Sequence, residues 1–197
     1  LASMEPAALL VVDVQKDFCA GGTLAVPHAD RAVAVLNRIV GAFDRRGVPV
    51  LASRDWHPAE SAHFRDAGGA WPPHCVAGST GAAFHDDLHL PDGTVVVSKG
   101  IGPTEDGYSA FDGRTDSGQP LLEALRHREV TRLYVGGLAT DYCVKHSILD
   151  ALGHGFDVSV PTDAIAAVDL HPGDGAAALE AMAAAGATLT RSDSILK

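Results

Sequence analysis

Apolar residues along the chain occur in short continuous runs separated by longer amphipathic stretches. Continuous runs are typical of strands that are buried on both faces of a sheet. Six are present, at Ala7–Val12, Val48–Ala52, Thr94–Ser98, Arg132–Val135, Phe156–Val160 and Ala187–Thr190. Helical spacing of apolar residues predicts helices at residues 30–46, 120–128, 144–153 and 175–185. The alternation predicts a three-layer α/β/α fold, with a mostly parallel six-stranded sheet and helices on both faces.

Length and composition narrow the class of protein. The 197 residues suit a single domain over 1–197, and we interpret Leu1–Ser3, before Met4, as a remnant of the expression vector. A formal net charge of −10 argues against nucleic acid as a partner. No apolar run is long enough for a membrane span, and no signal peptide is visible. With three cysteines, an odd number, we expect free thiols and a cytoplasmic protein.

Polar and reactive residues follow four of the predicted strands. Asp13 comes after the first strand, Asp55 and His57 after the second, Lys99 after the third and Cys143 after the fourth. Ligands of open α/β sheets bind outside the carboxyl ends of the strands, where these residues are expected to meet. The sequence therefore predicts one site built from all four strand ends.

The turn after the fourth strand predicts a cysteine nucleophile. Cys143 is expected in the first turn of a helix, where free N–H groups and the helix dipole lower a thiol pKa. The same N–H groups can hold an oxyanion. Asp13 is the candidate base, and Lys99 is the candidate cation that balances it. Taken one by one, these residues could instead be a turn aspartate, a surface lysine and a small buried side chain.

A second group of residues predicts a metal site. Asp55 and His57 alternate along an extended segment and can face one ion, with His63 and His74 following in an irregular region. One carboxylate and three imidazoles suit one divalent ion such as Zn, Fe or Mn better than calcium or magnesium. Cys75 is an alternative ligand, and loop histidines can also be ordinary surface residues.

Five segments of the chain, in order, resemble one known family. They are Val11–Phe18, Ser53–Pro58, Trp71–Val76, Ser98–Gly100 and Gly137–Val144. With them the chain resembles the nicotinamidases (pyrazinamidases) of the isochorismatase-like cysteine hydrolases. The resemblance covers nearly the whole chain, from Ala7 to the last strand.

The resemblance implies hydrolysis of nicotinamide, and of pyrazinamide, within NAD salvage. It implies a catalytic triad of Asp13, Lys99 and Cys143, and a metal held by Asp55, His57 and His74, with His63 as a fourth ligand in some members. A cis peptide at Leu138–Ala139 would direct the N–H groups of Ala139 and Cys143 at an oxyanion. The implied substrate contacts are Phe18, Trp71, Tyr108 and Leu138. The segment Gly100–Gly107 departs from the aromatic-containing form typical of the family.

Three other functions stay open at this point. A related amidase could act on a carbamoyl or ureido substrate, although such relatives need no ring-binding metal. A metal-bound hydroxide could be the attacking group, with Cys143 structural. A non-catalytic binding domain could use the same scaffold. The expected partner is a small-molecule amide, and a homo-oligomer is neither predicted nor excluded by the sequence.

Overall fold

The structure, a computed structural model, describes residues 6–197, so the predicted vector remnant Leu1–Ser3 lies outside the described residues. Its strands are β1 Ala7–Val12, β2 Val50–Asp55, β3 Val95–Lys99, β4 Arg132–Leu138, β5 Asp157–Pro161, β6 Ile165–Ala166 and β7 Thr188–Thr190. Its α-helices are α1 Ala29–Arg45, α2 Leu121–His127, α3 Lys145–Gly153, α4 Asp174–Ala184 and α5 Ser192–Ile195.

The strands form one sheet in the order β3-β2-β1-β4-β5-β7, and β6 pairs with β4. Every strand pair is parallel, in agreement with the predicted class of fold. The sheet has seven strands rather than the predicted six. The additional strand, β6, has two residues, which is too short to leave a periodic signal in the sequence.

Side chains from the two faces of the sheet enter two separate cores. In β1, Leu9 and Val11 pack with α1, whereas Leu10 and Val12 pack with residues of α2 and α3 on the opposite face. Successive side chains of a strand point to opposite faces, so a strand covered on both sides must be apolar throughout. All six residues of β1 are buried, which explains its continuous apolar run.

The strand order reverses direction at β1, because the chain runs outward from β1 to β3 on one side and then returns to β4 on the other. The close approach of β1 and β4 requires a glycine: Gly137 has φ 125, and a Cβ atom there would lie 2.1 Å from the Val12 oxygen. Such a switch point leaves a crevice beyond the carboxyl ends of the central strands. Among the described residues, no helix combines the length and apolar character needed to cross a bilayer.

Candidate active site

The ends of β1, β3 and β4 bring Asp13, Lys99 and Cys143 together below the surface. The Lys99 Nζ donates to Asp13 Oδ2 at 2.7 Å and to Asp55 Oδ1 at 2.5 Å, and it lies 3.5 Å from Cys143 Sγ. Its remaining partner is the Gly107 carbonyl oxygen. All four side-chain groups are buried, so this cluster is a buried charged network.

The charges of this network are set by the lysine between two carboxylates. Burial alone would lower the pKa of Lys99, but Asp13 and Asp55 raise that pKa well above its ordinary value. Burial alone would raise the pKa of Asp55, but the attraction of Lys99 and the nearby histidines holds the pKa of this carboxyl well below its usual range. Burial is the stronger influence on Asp13 and raises its pKa in spite of Lys99. Asp13 is therefore the more basic of the two carboxylates.

The thiol of Cys143 differs from the predicted helix-start thiolate. Cys143 lies in a π-helical turn, Thr140–Val144, that precedes α3. Burial raises the pKa of the Cys143 thiol well above its ordinary value, and the opposing effect of the Lys99 cation does not reverse this shift. Desolvation of the thiolate, together with the nearby carboxylates of Asp13 and Asp55, outweighs the attraction of Lys99 here. A resting thiol of this kind needs a base to take its proton, and a carboxylate oxygen of Asp13 lies within 4.8 Å of the sulfur.

Three imidazoles form a second cluster beside the first. Each of His57, His63 and His74 has a ring nitrogen within 4.8 Å of ring nitrogens of the other two, and all three residues are buried. The second carboxylate oxygen of Asp55 lies 3.4 Å from His57 Nε2 and 3.7 Å from His74 Nε2. Burial lowers the pKa of His63, which favours the neutral ring that a metal ion requires.

The hydrogen bonds of these rings test whether the cluster fits a metal. The Nδ1 atoms of His57 and His74 contact the carbonyl oxygens of Gly100 at 3.0 Å and Pro72 at 2.8 Å. A carbonyl only accepts, so each Nδ1 carries the proton and each Nε2 keeps its lone pair. The Nε2 of His57 is buried and makes no hydrogen bond with any group of residues 6–197. A buried acceptor without a partner, aimed at a carboxylate and two further imidazoles, fits a divalent cation.

An aromatic cavity joins the two clusters. It encloses about 420 Å³ of empty space, including its open mouth. The three predicted aromatic residues all line it, and the Trp71 indole donates to the Tyr108 hydroxyl at 3.0 Å. The complete lining is Phe18, Leu24, Val26, Asp55, His63, Trp71, His74, Tyr108, Ala139, Tyr142, Cys143 and Val168.

One predicted contact residue, Leu138, does not line the cavity. Leu138 was expected to touch a substrate, but its side chain is 1% exposed and packs in the core on the α1 face of the sheet. The alternation of β4 sends Leu138 into that core, and the following residue, Ala139, lines the cavity instead. The peptide bond between them is cis, as the resemblance implied.

Comparison with known proteins identifies the family. The family model for the isochorismatase domain matches residues 7–194. The chain belongs to the isochorismatase family. The nicotinamidase of Escherichia coli K12 is 46% identical over 94% of this chain and 95% of its own length.

Two solved structures show the same likeness. The pyrazinamidase of Pyrococcus horikoshii, determined in complex with zinc, superimposes with a TM-score of 0.87 at 41% identity, covering 94% of this chain and 98% of the other. PnC1 from L. infantum, determined in complex with nicotinate, superimposes with a TM-score of 0.85 at 34% identity. The superposition covers 97% of this chain and 95% of the other.

Three polar side chains of this isochorismatase domain support the site and were not predicted from the sequence. Gln15 donates to the Asp55 carbonyl oxygen and accepts from the Asp55 N–H, both at 2.9 Å, and so holds the end of β2. Ser53 donates to Asp13 Oδ1 at 2.8 Å. Asp17 accepts from the Cys75 N–H at 2.8 Å, and Cys75 belongs to neither group of potential metal ligands found among residues 6–197. Gln15 and Asp17 stand inside the Val11–Phe18 motif, which was the available signal.

Tyr142 is a further residue whose role was missed. It lines the cavity, and its ring meets Trp71 edge-on with centroids 5.1 Å apart. It directly precedes Cys143 in the sequence, so its proximity to the sulfur could have been inferred. Tyr142 is therefore a fourth aromatic residue of the cavity wall, beside the predicted Phe18, Trp71 and Tyr108.

Proposed function

We propose that this chain is a nicotinamidase, which hydrolyses nicotinamide to nicotinate and ammonia through a thioester on Cys143. The supporting observation is one cavity whose lining includes the sulfur, three candidate metal ligands and several aromatic rings. A flat aromatic amide matches such walls, which favours a pyridine carboxamide over an aliphatic carbamoyl or ureido substrate. Relatives named for nicotinamidase or pyrazinamidase activity agree with this substrate class.

In the proposed mechanism, Asp13 accepts the thiol proton as the sulfur attacks the amide carbon. The N–H groups of Ala139 and Cys143 hold the oxyanion that forms. When the C–N bond breaks, the proton on Asp13 passes to the leaving nitrogen, and ammonia departs. Asp13 then takes a proton from a water molecule that attacks the thioester. The C–S bond breaks, Asp13 returns this proton to the sulfur, and nicotinic acid leaves and ionises to nicotinate. Lys99 keeps its positive charge throughout and holds Asp13 in place.

The residues proposed to hold one divalent ion are Asp55, His57, His63 and His74. When bound, such an ion supplies a Lewis-acid contact for the ring nitrogen of the substrate and so orients the ring. A donor set of one carboxylate and three imidazoles is compatible with Zn, Fe or Mn. Pyrazinamide, which also carries a ring nitrogen and a carboxamide, is an expected alternative substrate. We further propose that the chain forms one domain, supported by a family match that spans residues 7–194.

Substitution of the sulfur tests the proposal. Cys143→Ala is expected to reduce ammonia release from nicotinamide by about 10⁴-fold or more, because an alanine cannot form the thioester. The metal content of the variant, measured on purified protein, should equal that of the unaltered chain. Turnover that survives this change but stops on chelation would instead support attack by a metal-bound hydroxide.

A further inference from the structure

The segment Gly100–Gly107 lies against both clusters of the site. The Gly100 carbonyl oxygen faces His57 Nδ1, and the Gly107 carbonyl oxygen accepts from Lys99. Gly100 has no room for a side chain, because a Cβ atom there would lie 2.5 Å from the His57 ring. The segment is held in turn by the Ala62 N–H, which donates to the Pro103 oxygen at 2.7 Å.

One carboxylate of this segment reaches the histidine cluster. Asp106 Oδ1 lies 2.8 Å from His63 Nδ1. The corresponding acceptors of His57 and His74 are backbone carbonyl oxygens, so His63 is the one of the three whose Nδ1 bonds to a charged group. An ionised carboxylate only accepts hydrogen bonds, so Nδ1 must carry the proton and the lone pair lies on Nε2.

His63 needs such a partner more than Asp55 and His57 do. Asp55 ends a strand and His57 follows two residues later, so the sheet positions both. His63 lies in an irregular turn between Ser61 and the short 3-10 helix Arg65–Ala67, and no regular backbone ladder fixes its ring. The ring packs against His57 and Tyr108, with centroids 4.9 and 5.6 Å apart, but these contacts do not decide which ring nitrogen carries the proton.

We propose that Asp106 is a positioning residue that makes His63 a metal ligand, by accepting its Nδ1–H and so presenting Nε2 to the ion. Carboxylates that bond to a ligating histidine fix the ring orientation and raise its basicity, and their loss typically weakens metal binding by about 10- to 100-fold. The inference rests on the proposed function only in requiring a divalent ion at this cluster.

Substitutions at Asp106 are suited to this test because the side chain is 63% exposed and its removal opens no cavity in the core. Zinc affinity is measured by competition with a chelator on protein stripped of metal and reloaded. Asp106→Ala should bind Zn²⁺ about 10- to 100-fold more weakly. Asp106→Asn keeps an acceptor oxygen without the charge and should recover part of the loss. Asp66→Ala removes an exposed acid from the same loop as His63 and should leave the affinity unchanged.

Two further measurements separate positioning from a general structural effect. The visible absorption of Co²⁺-loaded protein reports the ligand set, and its change in Asp106→Ala should resemble that in His63→Ala. Zinc affinity of the double variant should equal that of His63→Ala alone, because Asp106 acts through His63. Unchanged zinc affinity in Asp106→Ala or in His63→Ala, or losses that add fully, would overturn the inference. An unaltered chain that binds zinc but releases no ammonia would overturn the proposed function and not this inference.

Discussion

The two halves of the site, the lysine network and the histidine cluster, satisfy their polar groups differently. Lys99 has two carboxylates, a carbonyl oxygen and a sulfur within reach, so its charge is fully compensated by the protein. The Nε2 of His57 is equally buried and has no hydrogen-bond partner in the part of the chain that the structure describes. Buried polar groups are rarely left without partners. The lysine network finds its partners within the protein, whereas the histidine cluster needs a partner from outside it. The lysine network is complete as the chain folds, whereas the histidine cluster is arranged for a group that the chain does not supply.

Asp55 joins the two halves. One of its carboxylate oxygens accepts from Lys99, and the other faces His57 and His74. Gln15 bonds to both backbone groups of Asp55 and restricts how this residue can move. The lysine network therefore positions one oxygen of the histidine cluster, and a change in either half is expected to reach the other through this carboxylate.

Removal of the lysine charge should have the largest effect on stability. In Lys99→Met, the carboxylates of Asp13 and Asp55 lose their buried counter-ion, which should lower the free energy of unfolding by about 3–5 kcal/mol and abolish turnover. Denaturant unfolding followed by circular dichroism measures the first effect. Lys16→Met is the matched control, because Lys16 pairs with an 83% exposed Asp86 and should cost less than about 1 kcal/mol. Equal losses in the two variants would contradict a buried, protein-completed network.

Removal of the metal should have the next largest effect, and it acts on the other half. Chelated protein is expected to lose nicotinamide hydrolysis, and its free energy of unfolding should fall by about 3 kcal/mol relative to protein with free metal near 100 times Kd. Both should return on addition of Zn²⁺. Cys143→Ala should show the same stability loss on chelation, since its sulfur is not part of the histidine cluster. Chelated protein with undiminished stability and turnover would show that the cluster needs no ion.

The smallest expected effect concerns the cavity wall that connects the halves. Tyr108→Phe removes the acceptor of the Trp71 indole N–H but keeps the aromatic ring. A lost hydrogen bond of this kind should cost about 0.5–1.5 kcal/mol, observed as a several-fold higher KM with kcat nearly unchanged. Steady-state kinetics with nicotinamide provides the test. A large fall in kcat with unchanged KM would place Tyr108 in the chemistry instead of the wall.

Much of the fold could be predicted because it depends on local patterns. The continuous apolar run of β1 and the helical spacing in α1 follow from burial on both faces of a sheet and on one face of a helix. The two-residue strand β6 and the four-residue helix α5 were missed because such short elements carry no period and form only by contact with the rest of the fold. The π-helical turn at Cys143 is likewise not encoded in apolar spacing.

The candidate site could be predicted in part, because residues that follow neighbouring parallel strands lie close together at one edge of the sheet. Asp13, Lys99 and Cys143 follow separate strands, and a parallel sheet brings such positions to one edge. Asp106 was not found, because it acts through a side chain 43 residues away in the sequence and lies in a loop without regular structure. The resemblance identified a segment that includes Leu138, while the direction of its side chain, into the core on the α1 face, depends on the register of β4.

The sequence by itself determined the class of fold, the family motifs and the chemical identity of the reactive groups, because these depend on residue type and short-range spacing. The tertiary structure alone decided how those groups are charged and held. Burial raises the pKa of the Cys143 thiol where local helix geometry suggested the reverse, and the three histidines of the cluster acquire defined donor atoms. Desolvation and hydrogen-bond partners depend on residues distant in the chain, and only the folded arrangement specifies them.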